Sequence, residues 1–430
     1  MSEINSHERM PAKFLVQNMI DTQKAYKFGK FLLASGVVIF AIGQSLLFII
    51  VAPLARAIGL SELQFGLAFS LANLTLLFGG PFWGKRSDVI GRKPVFIIGL
   101  AGSAIGTLAM AGVLNVGMKT PIATGIMMAM IFGARAIYGI TASAIYPSAS
   151  GYIADVTDWT GRAKGMALIG SANALGGIIG PAIGGGLAFM GVLFPMYAAA
   201  TISFIGTVIA IIWLVEPDNH KNRTVSQDKS KSTLKFTDKR LRPYMIMWVF
   251  FFVTFIQLNF VTAFYIQDRF GISDIPQVMR VASLMLASMA VIITLIQGVL
   301  FQLIKISPQF LLRICAPLFA VGLYTMASAT SLLMLAIGFA FIGAAFSCAT
   351  PGINGSASMK MKPHEQGAAA GYLSAANTTG AILGPLFGTG LYNIAPNAPM
   401  LVGGTMMLFL GVFAQTIPAP VKDKSTEQTA

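Results

Sequence analysis

The sequence predicts an all-α membrane protein, with twelve transmembrane helices in two pseudo-symmetric six-helix bundles. Three observations carry that expectation. The composition is too apolar for water, at 55% hydrophobic and 11% charged residues, where soluble domains carry about 25% charged. Twelve separate apolar runs are each long enough to span a bilayer, which takes about 20 residues as a helix. The second half of the chain also repeats the first at a constant offset of 204 residues.

The runs begin near Phe31, Phe65, Val95, Pro121, Gly165, Leu193, Tyr244, Val281, Phe310, Ser331, Gly367 and Pro396, and the last ends near Ile417. They are too long for strands and show no period-two alternation. The chain thus divides into a tail (1–30), a first bundle (31–215), a linker (216–243), a second bundle (244–417) and a tail (418–430). The first tail is polar, ends in a basic stretch from Lys24 to Lys30, and lacks the apolar core of a signal peptide.

The net charge is +14. In a soluble protein that would raise nucleic acid as a partner. Here the bases lie in short loops between apolar runs, so the expected partner is the lipid bilayer and not nucleic acid. With both termini placed in the cytoplasm, 25 of the 30 Lys and Arg fall on inner segments, and only Arg56, Lys119, Arg269 and Arg280 fall on outer loops. The positive-inside rule then orients the chain, and a bacterial inner membrane is the expected location. The linker carries eight of those bases and reads as a solvated segment touching anionic lipid.

The repeat needs no gap. Gly139 matches Gly343, Pro147 matches Pro351, Gly151 matches Gly355, Asn173 matches Asn377, Gly176 matches Gly380, and Gly180-Pro181 matches Gly384-Pro385. Gly184 and Gly186 match Gly388 and Gly390. The shared residues are mostly backbone specialists. Parallel six-helix repeats suit a transporter with its substrate site between the halves near the midplane.

Four motifs follow. Between spans two and three stands Gly84-Lys85-Arg86-Ser87-Asp88-Val89-Ile90-Gly91-Arg92-Lys93-Pro94. Span four carries Arg135-Ala136-Ile137-Tyr138-Gly139. After it come Asp155 and Arg162. Span five carries Gly176-x-x-x-Gly180-Pro181-x-x-Gly184-Gly185, echoed in span eleven by Gly380, Gly384-Pro385 and Gly388. Glycines four apart line one helix face and admit a close neighbour; a proline inside removes a hydrogen bond and can kink the helix.

Together these resemble the signatures of the major facilitator superfamily, and the resemblance covers all twelve spans. The first loop is similar to the family's G-x-x-x-D-R-x-G-R-R, matched at Gly84, Asp88, Gly91, Arg92 and Lys93, with Val89 replacing a base. The resemblance implies that Asp88 latches a cytoplasmic gate against a helix N-terminus of the other half. A carboxylate there gains from the dipole and free N–H groups. Asp155 and Arg162 are expected as gate partners of Asp88 and Arg92. Arg135 falls in the family's R-x-x-Q-G, with Tyr138 in the glutamine's place, and the resemblance extends a role in proton coupling to it. The span-five motif resembles the antiporter signature of drug/proton exporters, although its repetition in span eleven also suits symmetric packing.

Arg135 is the one ionisable side chain well inside a span, and an intramembrane charge is functional by default. No Asp or Glu lies within a span; Glu62 and Asp268 sit at outer ends, and His7, His220 and His364 lie in polar segments. The cavity charge is therefore positive, which favours a neutral or anionic substrate, since arginine grips carboxylate or phosphate in bidentate fashion. Gln44, Asn73, Gln257, Asn259 and Gln297 are its expected polar neighbours, with Gln44 and Gln257 at equal depth in spans one and seven. Cys315 and Cys348 lie in apolar runs and read as packing residues. No metal, cofactor or nucleophile constellation is present, so an enzyme is not expected, and the chain is expected to act as a monomer.

The expected function is export of a small organic molecule by proton antiport, the substrate being a drug or a secreted metabolite such as a carboxylate-rich siderophore. The proton could ride on Asp88, Asp155 or the substrate itself. Uptake of an organic anion or neutral nutrient is the alternative direction. A non-transporting membrane sensor or assembly factor is the alternative of another class.

Overall fold

A computed structural model describes residues 12–157, 159–217, 234–304, 306–362 and 365–418. His7, His220, His364, most of the linker and the C-terminal tail lie outside the described residues. The described chain is helical throughout. The spanning helices are α1 (Ala12–Ala57), α2 (Glu62–Ile90), α3 (Arg92–Lys119), α4 (Thr124–Val156), α5 (Trp159–Leu187), α6 (Phe194–Trp213), α7 (Arg242–Phe270), α8 (Ile275–Leu303), α9 (Pro308–Ala327), α10 (Leu332–Ser358), α11 (Gln366–Ile394) and α12 (Ala398–Thr416). Eleven of these are long and apolar enough to cross a membrane. The twelfth, α11, is equally long but filled with Gly, Ala, Ser, Thr and Asn.

The helix starts follow from the sequence. Ser61 and Gln64 form a reciprocal capping box at α2. Asp274, Ser307 and Ser331 cap α8, α9 and α10 by side-chain acceptance of a backbone N–H. Proline occupies the first turn of α6, α7, α8, α9 and α12, where its missing N–H costs nothing. Helix α1 starts at Ala12, well before the apolar run at Phe31, so helical backbone reaches into the segment expected as a tail.

The repeat has a structural counterpart. Helix α4 breaks at Ser143–Ala144, just before Pro147. Helix α10 loosens into a π-helical turn over Thr350–Asn354, around the matching Pro351. In both, proline removes one rung of the ladder and clashes with the carbonyl four residues back.

The glycine motifs pack within each half. On α5, a Cβ on Gly180 would stand 2.8 Å from the Ile42 carbonyl, and one on Gly184 would stand 2.8 Å from Leu46. Gly176 faces Val38 and Ala41 of the same helix. On α11, a Cβ on Gly384 would stand 3.1 Å from the Val253 carbonyl, one on Gly388 2.6 Å from the Gln257 Cβ, and one on Gly380 2.7 Å from the Phe252 Cβ. So α5 lies on α1 as α11 lies on α7, with backbones too close for any side chain at these positions. Gly185 differs, because it faces Ser283 of α8 across the halves.

These contacts correct the alignment of spans one and seven. Ile42 and Val253 take the same place, as do Leu46 and Gln257. Gln44 therefore corresponds to Phe255, and it is not paired in depth with Gln257.

Candidate functional site

On the face that the charge bias predicts to be outer, the halves are joined. Arg56 at the end of α1 grips Asp268 at the end of α7 with two hydrogen bonds, Nη1 to Oδ1 at 2.6 Å and Nη2 to Oδ2 at 2.8 Å. Its Nε also donates to Glu62 at 2.7 Å, and Tyr392 of α11 donates to Asp268 Oδ2 at 2.6 Å. Beneath this lies an aromatic plug. Phe260 of α7 packs on Phe48, Phe65 and Phe69 of the first half, with ring centroids 5.2–5.4 Å apart. Helix α2 also runs close along α11. A Cβ on Gly66 would stand 2.8 Å from the Pro385 carbonyl, and Ser70 Oγ accepts from the Leu386 N–H.

Below the plug is a small cavity of about 70 Å³ lined by Gln44, Asn73, Arg135, Phe69, Phe260 and Thr378 among others. Arg135 is 4% exposed. Its guanidinium carbon lies 5.0 Å from the Phe69 ring centre and 4.9 Å from that of Tyr138. Nε and Nη1 have no hydrogen-bond partner, nor has the Gln44 Oε1 beside them. Cation–π contact offsets part of the cost of burying the charge, but unmet donors of a buried cation call for an acceptor. Tyr138 thus stands under the guanidinium as an aromatic support, its own hydroxyl unpartnered.

Asn73 has a second task. Its Nδ2 donates to the Ala381 carbonyl at 3.1 Å. That carbonyl lies four residues before Pro385, which has no N–H to give it. A side chain from the first half fills a gap in a helix of the second.

The cavity does not gather every expected residue. Gln257 is buried, but its Nε2 turns into the second bundle and donates to the Pro399 carbonyl at 3.1 Å; its place on α7 faces α11, as Leu46 faces α5. Asn259 bonds the Phe255 carbonyl of its own helix at 2.8 Å. Gln297 sits exposed on the π-helical turn of α8.

Toward the face predicted to be cytoplasmic, the halves part around a vestibule of about 660 Å³. Tyr146, Asn173, Trp248, Asn354, Ser374 and Asn377 are among its walls. Tyr146 donates to Asn173, and Trp248 Nε1 donates to Asn354 at 2.8 Å. The motif search missed these residues. The available signal was Asn173 matching Asn377 in the repeat, one polar pair among glycines and prolines, and both line the vestibule from opposite halves.

The expected gate residues group within the first half. Arg92, 7% exposed, pairs with Asp88 at 2.5 Å and with Asp155 at 2.9 Å. It also donates to Ser87 at 2.5 Å. Arg162 donates to the Ala154 carbonyl at 3.2 Å. Asp88 itself is over half exposed and is not at a helix N-terminus. That place at α3 is taken by Glu216, whose two oxygens accept from the backbone N–H of Arg92 at 2.6 Å and of Lys93 at 2.8 Å. Gly91, at φ 106°, makes the turn that exposes those N–H groups, and a Cβ there would stand 2.9 Å from the Glu216 carboxylate. Gly84 lies beside Pro147 with room to spare. In the second half, Arg240 of the linker binds Asp238 and Glu365, each within 3.1 Å. The Arg240 hydrogen bonds hold the Asp238 carboxyl below its usual range. Asp238, and then Glu365, raise the guanidinium above its own.

The sequence profile of the Major Facilitator Superfamily matches residues 33–314 and 298–430. The chain belongs to this superfamily. Major facilitators are transporters of small molecules and not enzymes, so the chain is a multi-pass membrane transporter. Its relatives include the multidrug resistance protein 2 of Bacillus subtilis, 25% identical over 88% of this chain and 92% of that one. The class B tetracycline resistance protein of Escherichia coli is 26% identical over 77% and 79%. Among solved structures, the nucleoside transporter NupG superposes with a TM-score of 0.71 at 14% identity, covering 90% of this chain and 98% of that one. The human organic anion transporter MFSD10 gives 0.63 at 19%, over 91% and 99%. These two show the fold alone.

Proposed function

We propose that this transporter exports a small organic molecule, anionic or neutral, by alternating access coupled to protons. The observation that carries the reading is Arg135, a buried guanidinium with open donors on the line between the halves. No carboxylate lines either its cavity or the vestibule among the described residues. A cationic drug would find no counter-charge there; a carboxylate or phosphate would find its partner. A siderophore rich in carboxylates fits this chemistry. The vestibule has the size of an ordinary small-molecule site, whereas the 70 Å³ cavity holds only the leading group of such a ligand in this conformation. The charge bias supports a cytoplasmic position for the vestibule, and on that reading the conformation is one that loads from inside. Export agrees with the drug-resistance names of the relatives and with the glycine–proline motif on α5. The proton then acts at the gates. Asp268 is the carboxylate that ties the outer ends of the two halves together, and its pair with Arg56 must part for the outer side to open.

The test is mass spectrometry of cells and medium from a deletion strain and its complemented twin, with and without iron. A compound that accumulates inside and is missing outside in the deletion strain is the expected result. A compound left in the medium and depleted inside would establish uptake instead. Collapse of the proton gradient in the complemented strain should reproduce the deletion pattern, and transport that persists unchanged would remove the proton from the scheme.

A further inference from the structure

Three lysines meet in one pocket on the first bundle that the transport reading does not use. It has a volume of about 590 Å³ and lies between residues 26–31 of α1, the end of α4 and the start of α5. Lys27 and Lys30 enter it from α1, and Lys164 from α5. None of the three has a carboxylate at ion-pair distance among the described residues, and the described lining contains no Asp or Glu. The rest of the wall is largely apolar, with Phe31 64% exposed and Leu168 41% exposed. The charge bias of the loops predicts that this end of the helices faces the cytoplasmic surface of the membrane.

We infer that this pocket binds the headgroup of an anionic phosphoglycerolipid. Three ammonium groups from two helices converge on one space that holds no carboxylate among the described residues, which suits a phosphate. A zwitterionic lipid would bring its own ammonium among them. The exposed Phe31 and Leu168 supply the complementary apolar wall, against which the start of an acyl chain lies; a free soluble anion would leave that wall bare. Basic pockets between transmembrane helices at the membrane surface are a recognised form of lipid site. The convergence on one pocket separates this site from the diffuse attraction of positive loops. Lys85 and Arg86, near the end of α2, do not line this pocket.

Native mass spectrometry of the full-length purified chain, offered equal amounts of phosphatidylglycerol and phosphatidylcholine, tests the assignment. Phosphatidylglycerol should be retained in roughly hundredfold preference, given the usual attraction for each of three basic residues. The triple variant Lys27→Gln, Lys30→Gln, Lys164→Gln should bind both lipids equally. The corresponding triple Lys→Arg variant should keep the preference, as should Lys85→Gln with Arg86→Gln. Equal retention by the unaltered chain would overturn the assignment. So would an unchanged preference in the triple Gln variant, or an equal loss in the Lys85/Arg86 variant. Release of phosphatidylglycerol by inorganic phosphate would reassign the pocket to a soluble anion.

Discussion

Arg135 in the first bundle and Phe339 in the second occupy matching places in the repeat, and both are buried. Around them the backbone frame is the same. The glycines of α5 lie on α1 as those of α11 lie on α7, and both α4 and α10 deform at a matched proline. What hangs on the frame differs. The first half supplies the charge, the Gln44 and Asn73 amides and the Arg92 ion-pair cluster. Around the cavity the second answers with Phe260 and apolar packing, and keeps its own charges at the two membrane faces, in Asp268 and in the Arg240 cluster. The repeated part is the part a rocking motion requires, namely two stiff bundles. The unrepeated part is where chemistry resides.

The largest test of that division is to remove each side chain in turn. Arg135→Ala should abolish transport of the identified compound while the protein reaches the membrane in normal amount. Phe339→Leu should lower thermal stability by about 1 kcal/mol, as for a modest core truncation, and leave transport per folded molecule intact. Cellular export assays paired with thermal unfolding in detergent separate the two. Normal transport by Arg135→Ala would end its assignment as the substrate group.

The shared frame was legible in the sequence because it depends on backbone and length. A glycine at every fourth position, a proline and a 20-residue apolar run mean much the same in any context, and, α1 apart, the span starts fall near the starts of the observed helices. The direction of a side chain is a different matter. Gln257 looked like a cavity amide because it is polar and at mid-span, but its helix is turned so that residue 257 faces α11. Glu216 looked like the first residue of a linker; only folding brings the end of α6 to the start of α3. The aromatic plug escaped notice because phenylalanine is abundant in lipid-facing positions and carries no pattern of its own.

The second test asks whether the two glycine ladders are equivalent. Gly180→Ala and Gly384→Ala should each destabilise by about 1–3 kcal/mol, the usual cost of overpacking, since both would drive a Cβ against the partner helix. Comparable losses in thermal stability are expected. If Gly384→Ala were harmless while Gly180→Ala inactivated, the α5 motif would have a directional role beyond packing.

The smallest expected effect lies where the frame is matched but the partner is not. Pro181 and Pro385 correspond, and each leaves one carbonyl four residues back without its helical donor. In α11 that carbonyl, Ala381, is met by Asn73 from the other half. In α5 the matching carbonyl is that of Gly177; among the described residues the nearby side-chain donor, Ser45 of the same half, goes to the Gly176 carbonyl instead. Pro385→Ala would restore an N–H to α11, so that Ala381 bonds within its own helix and Asn73 loses its acceptor. Losing one hydrogen bond of about 1 kcal/mol should loosen the outer seal roughly fivefold. Spin labels on the outer loops of the two halves would read this as a larger share of the widely separated population. Pro181→Ala changes a helix that has no such strap, and the distance distribution should stay as it was. Equal shifts in both variants would mean that helix straightening, rather than the Asn73 bond, governs the seal.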